Sequence, residues 1–432
     1  MPRFLSSLAL TLALALSAKG EDWPTFLGPT RDGVSAEKGI INPWPAKGLK
    51  KVWECELGIG FAAPVTSGGK LFHADRFGDN VRLTAREAAT GKFLWKYEYP
   101  TEYEDRYGYD PGPRACPVVD GDRVYLYGPD GVLCCVNTAT GKELWKVDTR
   151  AKFFFHQNFF GAGSVPVIDG DLLILPVGGS TKGPRPVDFR EVKPNGTAIV
   201  AFDKKTGAVK YAAGDELASY ASPTITTING KKTGLYFARG GLMGFDPQTG
   251  KTEFYYKWRA KVEESVNASN PVVVGDKILL TECYGVGGAF LDLKGGKPKE
   301  IWTDRDNDVA DRALGCHWNT PIHVNGFVYG SSGRHTEDAD IRCVELATGE
   351  VKWKQKRTKR SSLTLVDGHF ISLSEYGDLA LIKVNPAKYD EVSKYEVPGL
   401  EYPCWAAPVI SDGLLYVRGK EKLIALELIP KK

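Results

Sequence analysis

Three observations predict an all-β chain folded as a closed ring of eight four-stranded antiparallel blades. A proline-led segment recurs through the 432 residues, most copies 48–57 residues apart. A Thr-Gly turn followed four residues later by an aromatic recurs in five of these units. A spare aromatic-bearing strand near the N-terminus also matches an incomplete last unit at the C-terminus. A period near fifty residues built from short strands is the pattern of a β-propeller rather than a helical solenoid.

The elements follow in chain order. Residues 1–20 read as an export leader, with Arg3 ahead of an apolar run and small residues at Ala18 and Gly20 before Glu21. The apolar stretch is too short to span a ~30 Å hydrocarbon layer. No cysteine follows it, so a lipid anchor is not expected. Residues 21–50 form a lead segment, and 51–432 the propeller. The proline-led starts are Ala63-Pro64-Val65, Cys116-Pro117-Val118, Val165-Pro166-Val167, Ser222-Pro223-Thr224, Asn270-Pro271-Val272, Thr320-Pro321-Ile322 and Ala407-Pro408-Val409. Ser362-Leu363-Thr364-Leu365-Val366-Asp367-Gly368 supplies the eighth start without the proline.

The second half of each unit carries its own logic. Gly91, Gly141, Gly207, Gly250 and Gly349 close tight turns, and Trp95, Trp145, Tyr211, Phe254 and Trp353 follow four residues later. Four residues before each glycine stands Glu87, Asn137, Asp203, Asp246 or Glu345, able to bond the turn's backbone. Six before stands Ala85, Cys135, Ala201, Gly244 or Cys343, small enough to leave room for the ring. The last unit stops before its fourth strand, and Lys51-Val52-Trp53-Glu54 is the spare one, with Trp53 as its aromatic. Pairing the two closes the ring and removes exposed sheet edges.

Composition narrows the function. Lys plus Arg (56) against Asp plus Glu (53) leaves +3, which excludes a polybasic nucleic-acid binder. The basic run at 352–360 is read as a solvated strand edge. Neither nucleic acid nor integral membrane association is expected, and the expected state is a monomer. The eight cysteines include no C-x-x-C-H, C-x-x-C or H-E-x-x-H pattern, and their pairing stays open. Cys134-Cys135 is read as two packed thiols inside a strand.

The repeat, seen as Ala201-Phe202-Asp203 before Thr206-Gly207 and as Thr140-Gly141-Lys142-Glu143-Leu144-Trp145, resembles the pyrroloquinoline-quinone (PQQ)-type propeller repeat. The lead Asp22-Trp23-Pro24-Thr25-Phe26-Leu27-Gly28-Pro29 is similar to the start of exported PQQ-like repeat proteins of the planctomycete type. The resemblance implies either of two functions. One is a non-catalytic exported module, periplasmic or secreted, that binds a protein, peptide or glycan. The alternative is a dehydrogenase for an alcohol or sugar, holding PQQ with calcium on the ring axis and using an Asp base; no local motif assigns its calcium ligands. A vicinal disulfide at Cys134-Cys135 would belong to that second reading.

In such a ring the loops entering each blade and those between its second and third strands share one face. That layout nominates His156, Asn158, His317, Trp318, Asn319, Arg334, His335, Glu375 and Trp405 as the ligand-binding set. No catalytic residue is assigned, and a metal role for 334–338 is left open.

Overall fold

The computed structural model describes residues 20–155, 159–181 and 191–431. It contains eight sheets arranged as eight blades, seven of them four-stranded. Within each blade the four main strands pair antiparallel with their neighbours. The eighth blade combines Val409–Ser411, Leu414–Arg418 and Lys422–Glu427 with the N-terminal strand Lys51–Glu56. Trp53 stands opposite Ala425, so the two ends of the propeller share one sheet as the sequence predicts.

The repeat acquires its meaning between blades. Each docking aromatic lies across from its small residue: Trp95 from Ala85, Trp145 from Cys135, Tyr211 from Ala201, Phe254 from Gly244, Trp353 from Cys343. Most of these rings then reach the next blade's turn. A Cβ on Gly91 would sit 2.6 Å from the Trp53 ring, one on Gly141 2.7 Å from Trp95, and one on Gly207 2.7 Å from Trp145. These glycines also hold φ near +72°, where other residues are strained. The indole N–H of Trp53 donates to the Ala88 carbonyl (2.9 Å), that of Trp95 to Thr138 (3.1 Å) and that of Trp145 to Lys204 (3.2 Å). Tyr211 does the same through its hydroxyl to Pro247 (2.7 Å). Trp302, which the Thr-Gly pattern misses, docks on Gly349 and donates to Leu346 (2.8 Å). The turn acids work as expected: Asp203 accepts from the Lys205 and Thr206 amides, and Asp246 from Gln248 and Thr249.

The lead segment crosses the end of the ring where the first and second strands of each blade turn. Trp23 exchanges backbone bonds with Thr66 of blade 1, and Pro24 accepts from Val119 of blade 2. Val34–Ser35 adds a parallel strand to Ser361–Val366 of blade 7, making that sheet five-stranded. Glu21 accepts from Ser411 of blade 8. One chain segment thus ties together inner strands that are hundreds of residues apart. All eight cysteines are free thiols, with Cys134 and Cys135 fully buried.

Because Trp53 is 8% exposed and joins blade 8 to blade 1, Trp53→Ala is expected to cost about 3–5 kcal/mol. Chemical denaturation measures the loss, and faster hydrogen exchange in Lys51–Glu56 locates it at the seam. Unchanged stability and exchange would show that this dock does not hold the ring shut.

Candidate functional site

On the face away from the lead segment, the eight entering segments converge on an axial cavity of about 340 Å³. Its floor is Phe26 of the lead plus small residues from the proline-led starts: Ala63, Cys116, Val165, Ser222 and Ala407. The repeat that begins each inner strand therefore also sets the cavity's width. Phe61, Tyr109, Phe160, Tyr220, His317, Trp318, Arg360, Tyr402 and Trp405 form the walls, joined by Tyr284, Arg334 and His335 from loops between second and third strands.

Trp405 is the hub of the aromatic wall. Its ring centroid lies 4.7 Å from Phe61, 5.5 Å from Trp318 and 6.0 Å from both Tyr109 and Tyr402. His317 continues the series, 5.0 Å from Trp318 and 5.5 Å from Tyr284. Such offset and edge-on pairs hold rings in fixed orientations.

Two arginines brace this wall. Arg360 donates to both oxygens of Glu375, to Oε1 at 3.0 Å and to Oε2 at 2.5 Å, and lies 4.7 Å over the Trp318 ring. Glu375 is fully buried. Burial alone would raise its pKa, but bonds from Arg360, Thr336 and Trp405 outweigh that and hold it below the usual carboxylate value. Arg114 is paired with buried Asp105 (3.0 Å) and sits between the Phe61 and Phe160 rings at 4.6 and 5.2 Å. Arg334 differs: it lies 4.6 Å over Tyr284, and its guanidinium has no hydrogen-bond or carboxylate partner among the described residues.

The loops that carry these groups are anchored through backbone bonds. Buried Glu282 accepts four successive amides, Tyr284 through Gly287, and so fixes the turn bearing Tyr284. Asp304 accepts from Ala313 and Leu314, while Thr281 bonds Leu314 and Cys316. Together they set the approach to His317 and Trp318. The His317 Nε2 meets the Tyr284 hydroxyl at 2.9 Å. Desolvation, with Arg360 and Arg334 adding to it, pulls His317 down to about 3. It is neutral at physiological pH. Its Nδ1 and the Trp318 Nε1 are buried without partners among the described residues.

Of the residues nominated from sequence, His317, Trp318, Arg334, His335 and Trp405 are brought together on the cavity. Asn319 is packed instead, its amide donating to the Ser331 carbonyl at 3.0 Å. Glu375 stands behind the wall as the partner of Arg360. His156 and Asn158 lie outside the described residues, as do residues 182–190. Sequence reading missed Arg360, placed in a solvated run, along with Phe26, Phe61, Phe160, Tyr284 and Tyr402. Only the proline-led spacing could have flagged Phe61, two residues before Ala63.

Calcium and PQQ, implied by one reading of the repeat, can be tested against this donor set. Calcium needs several oxygen ligands. Among the described residues the cavity lining contains no Asp or Glu, and Asp105 and Glu375, which stand behind it, are committed to arginines. Among the described residues no group of three or more His, Cys, Asp or Glu could hold a metal ion. The residues present do not fit a calcium–quinone pair.

Fold and site together define a PQQ-type β-propeller with an aromatic, arginine-lined axial pocket. The family model described as "Outer membrane protein assembly factor BamB" matches residues 44–183 and 109–355, and the chain belongs to that family. The chain is 22% identical over 342 residues to the outer membrane protein assembly factor BamB of Burkholderia pseudomallei (strain K96243), covering 76% of this chain and 75% of that protein. It is 27% identical over 170 residues to the dehydrogenase subunit of a quinone alcohol dehydrogenase from Gluconobacter oxydans (strain 621H), 38% of this chain but 20% of that protein. Among solved structures, BamB from Moraxella catarrhalis superposes with TM-score 0.60 at 15% identity, over 89% of this chain and 99% of that one. A europium-containing methanol dehydrogenase superposes with TM-score 0.67 at 12% identity, over 93% and 90%. Both likenesses are of fold.

One buried and one half-buried histidine make the stability acid-sensitive. His73, 1% exposed, is also pulled by desolvation to about 3. In the unfolded chain each takes up a proton near its ordinary pKa of about 6.5. The folded state does not, so stability falls as pH drops below that value. A melting-temperature series from pH 7 to 5, above the carboxylate range, is expected to decline, and His73→Gln is expected to flatten it. A flat wild-type profile there would contradict the burial argument.

Proposed function

We propose that the protein is a non-catalytic binding or scaffold module that engages a partner through its loop face, with part of that partner seated in the axial cavity. The observation carrying this reading is the donor set: a pocket built from all eight entering segments, rich in fixed rings and guanidiniums, with no carboxylate among its described lining residues to act as base or cation ligand. A general base must lie within hydrogen-bond reach of the proton it removes, and His317 already shares its Nε2 with Tyr284. A protein partner is the form of ligand favoured by the family's description. Exposed Tyr107, Tyr109, Tyr376 and Tyr402 around the mouth support it, since tyrosine suits contact surfaces. Export, to the periplasm or beyond, accords with the leader read at residues 1–20, and the working state is a monomer.

A PQQ- and calcium-dependent dehydrogenase is the alternative. The flat aromatic walls favour it, as does similarity to quinone dehydrogenase subunits over part of their length. The two readings separate in one titration. With excess PQQ and calcium, the module reading expects neither a rise in melting temperature nor dye-linked oxidation of alcohols or sugars; for a ligand at 100 times its Kd the stabilisation would be about 2.7 kcal/mol. Tight binding with turnover would overturn the module. Replacing His317 and Trp318 with Ala is expected to weaken partner capture while leaving the melting temperature within a few degrees. A collapse of folding would instead make these residues packing elements.

A further inference from the structure

The aromatic wall does not end at the mouth of the cavity. Trp405 passes the contact outward on two sides. On one, its ring lies 6.0 Å from Tyr402, which lies 4.8 Å from Tyr376. On the other, it lies 6.0 Å from Tyr109, which lies 5.7 Å from Phe160, itself 5.7 Å from Tyr107. The four tyrosines of this band are each 42–49% exposed. A continuous exposed apolar surface of this kind marks a contact site. Its rings are held in place before any ligand arrives. Asp105 accepts the amides of Tyr107 (2.9 Å) and Tyr109 (3.2 Å). The Cys404 amide donates to the Glu375 carbonyl (2.9 Å), tying the loop of Tyr376 to that of Tyr402 and Trp405. Rings fixed in advance spare a ligand the cost of ordering them.

The hydrogen-bonding groups along this band are one-sided. The four tyrosine hydroxyls make no bond to the described residues. The Trp318 Nε1, 5.5 Å further along by ring contact with Trp405, is a buried donor without a partner among them. The described lining of the cavity holds no carboxylate to accept a bond. A fitting ligand therefore presents apolar rings and carbonyl oxygens, and few N–H or O–H groups. A glycan would bury hydroxyl donors without acceptors, at a cost for each. An ordinary strand carries an N–H on every residue, and a helix keeps its carbonyls to itself. A proline-rich segment in the polyproline II conformation matches the band. Proline has no N–H, the carbonyls of this helix have no internal partner, and aromatic-lined grooves are the surfaces on which such segments dock.

Resting on the binding-module reading above, we infer that this band is the recognition track for a proline-rich, polyproline II segment of a partner protein. Its pyrrolidine rings lie among Tyr376, Tyr402, Trp405 and Tyr109, and its carbonyls accept from the tyrosine hydroxyls and the Trp318 Nε1. One edge of such a helix recurs every third residue, about 9 Å apart. Neighbouring rings 4.8–6.0 Å apart place alternate members of the band on that scale.

Isothermal titration of the full-length protein tests this with three probes: an acetylated and amidated decaproline, a glycine-serine peptide of the same length and ends, and cellohexaose. Decaproline is expected to bind at least about tenfold tighter than either of the others, as loss or gain of a few stacked rings requires. Tyr109→Ala and Tyr402→Ala are each expected to weaken decaproline binding about tenfold. Both side chains are nearly half exposed, so the melting temperature stays unchanged. Trp318→Phe keeps the ring and removes the N–H, and is expected to lose about threefold to tenfold, the worth of one hydrogen bond. Equal affinity for the two peptides, tighter binding of cellohexaose, or decaproline binding unmoved by the three substitutions would each overturn the inference. Each of these results leaves the module reading standing, because the PQQ–calcium titration decides that separately.

Discussion

The structure depends on one contact made repeatedly: an aromatic ring on the outer strand of one blade lying on a glycine in the next blade's turn. That glycine must satisfy two conditions at once. Its φ is positive, and any Cβ would lie inside the neighbour's ring, as at Gly141 beneath Trp95. The indole N–H then finds a carbonyl on the same turn, so a buried donor is satisfied by the neighbour. Each blade is thereby positioned by the one before it. Since all eight entering segments contribute to the axial cavity, its shape is inherited from this chain of docks and from the Trp53 seam that completes it.

The fold was legible because the docking contact leaves its mark within about a dozen residues of sequence. The small residue, the turn acid, the glycine and the aromatic all fall on two adjacent strands. Where the local mark fails, the reading fails too. Trp302 docks as the others do, but its own blade turns without Thr-Gly, so it went unnoticed. The crossing path of the lead segment was equally hidden. Its bonds join Glu21 to Ser411 and Val34 to Leu365, contacts with no sequence periodicity at all.

The site was legible only in part, for a related reason. Counting strands identifies which loops share a face, and that sufficed for His317, Trp318, Arg334, His335 and Trp405. It says nothing about which way a side chain turns once there. Asn319 satisfies a backbone carbonyl in place of facing a ligand. Arg360 closes a basic run whose Lys352, Lys354 and Lys356 lie on an outer strand, yet it turns inward because Glu375 on the adjoining loop is buried and needs a cation. Tyr284 depends on four amides converging on Glu282. Such pairings are decided by tertiary packing, and hydrophobic patterning carries no trace of them.

The cations around the cavity divide by their partners, and the division separates scaffold from function. Arg114 and Arg360 each face a fully buried carboxylate, and removing either partner would strand a charge in the interior at a cost of about 3–5 kcal/mol. Their role is to hold ring planes in place. Arg334 carries no such partner among the described residues. Folding around an uncompensated guanidinium costs free energy that an apolar residue of similar size would not. Sites that retain such a cost are where function is expected to oppose stability. An anion meeting that group recovers part of it.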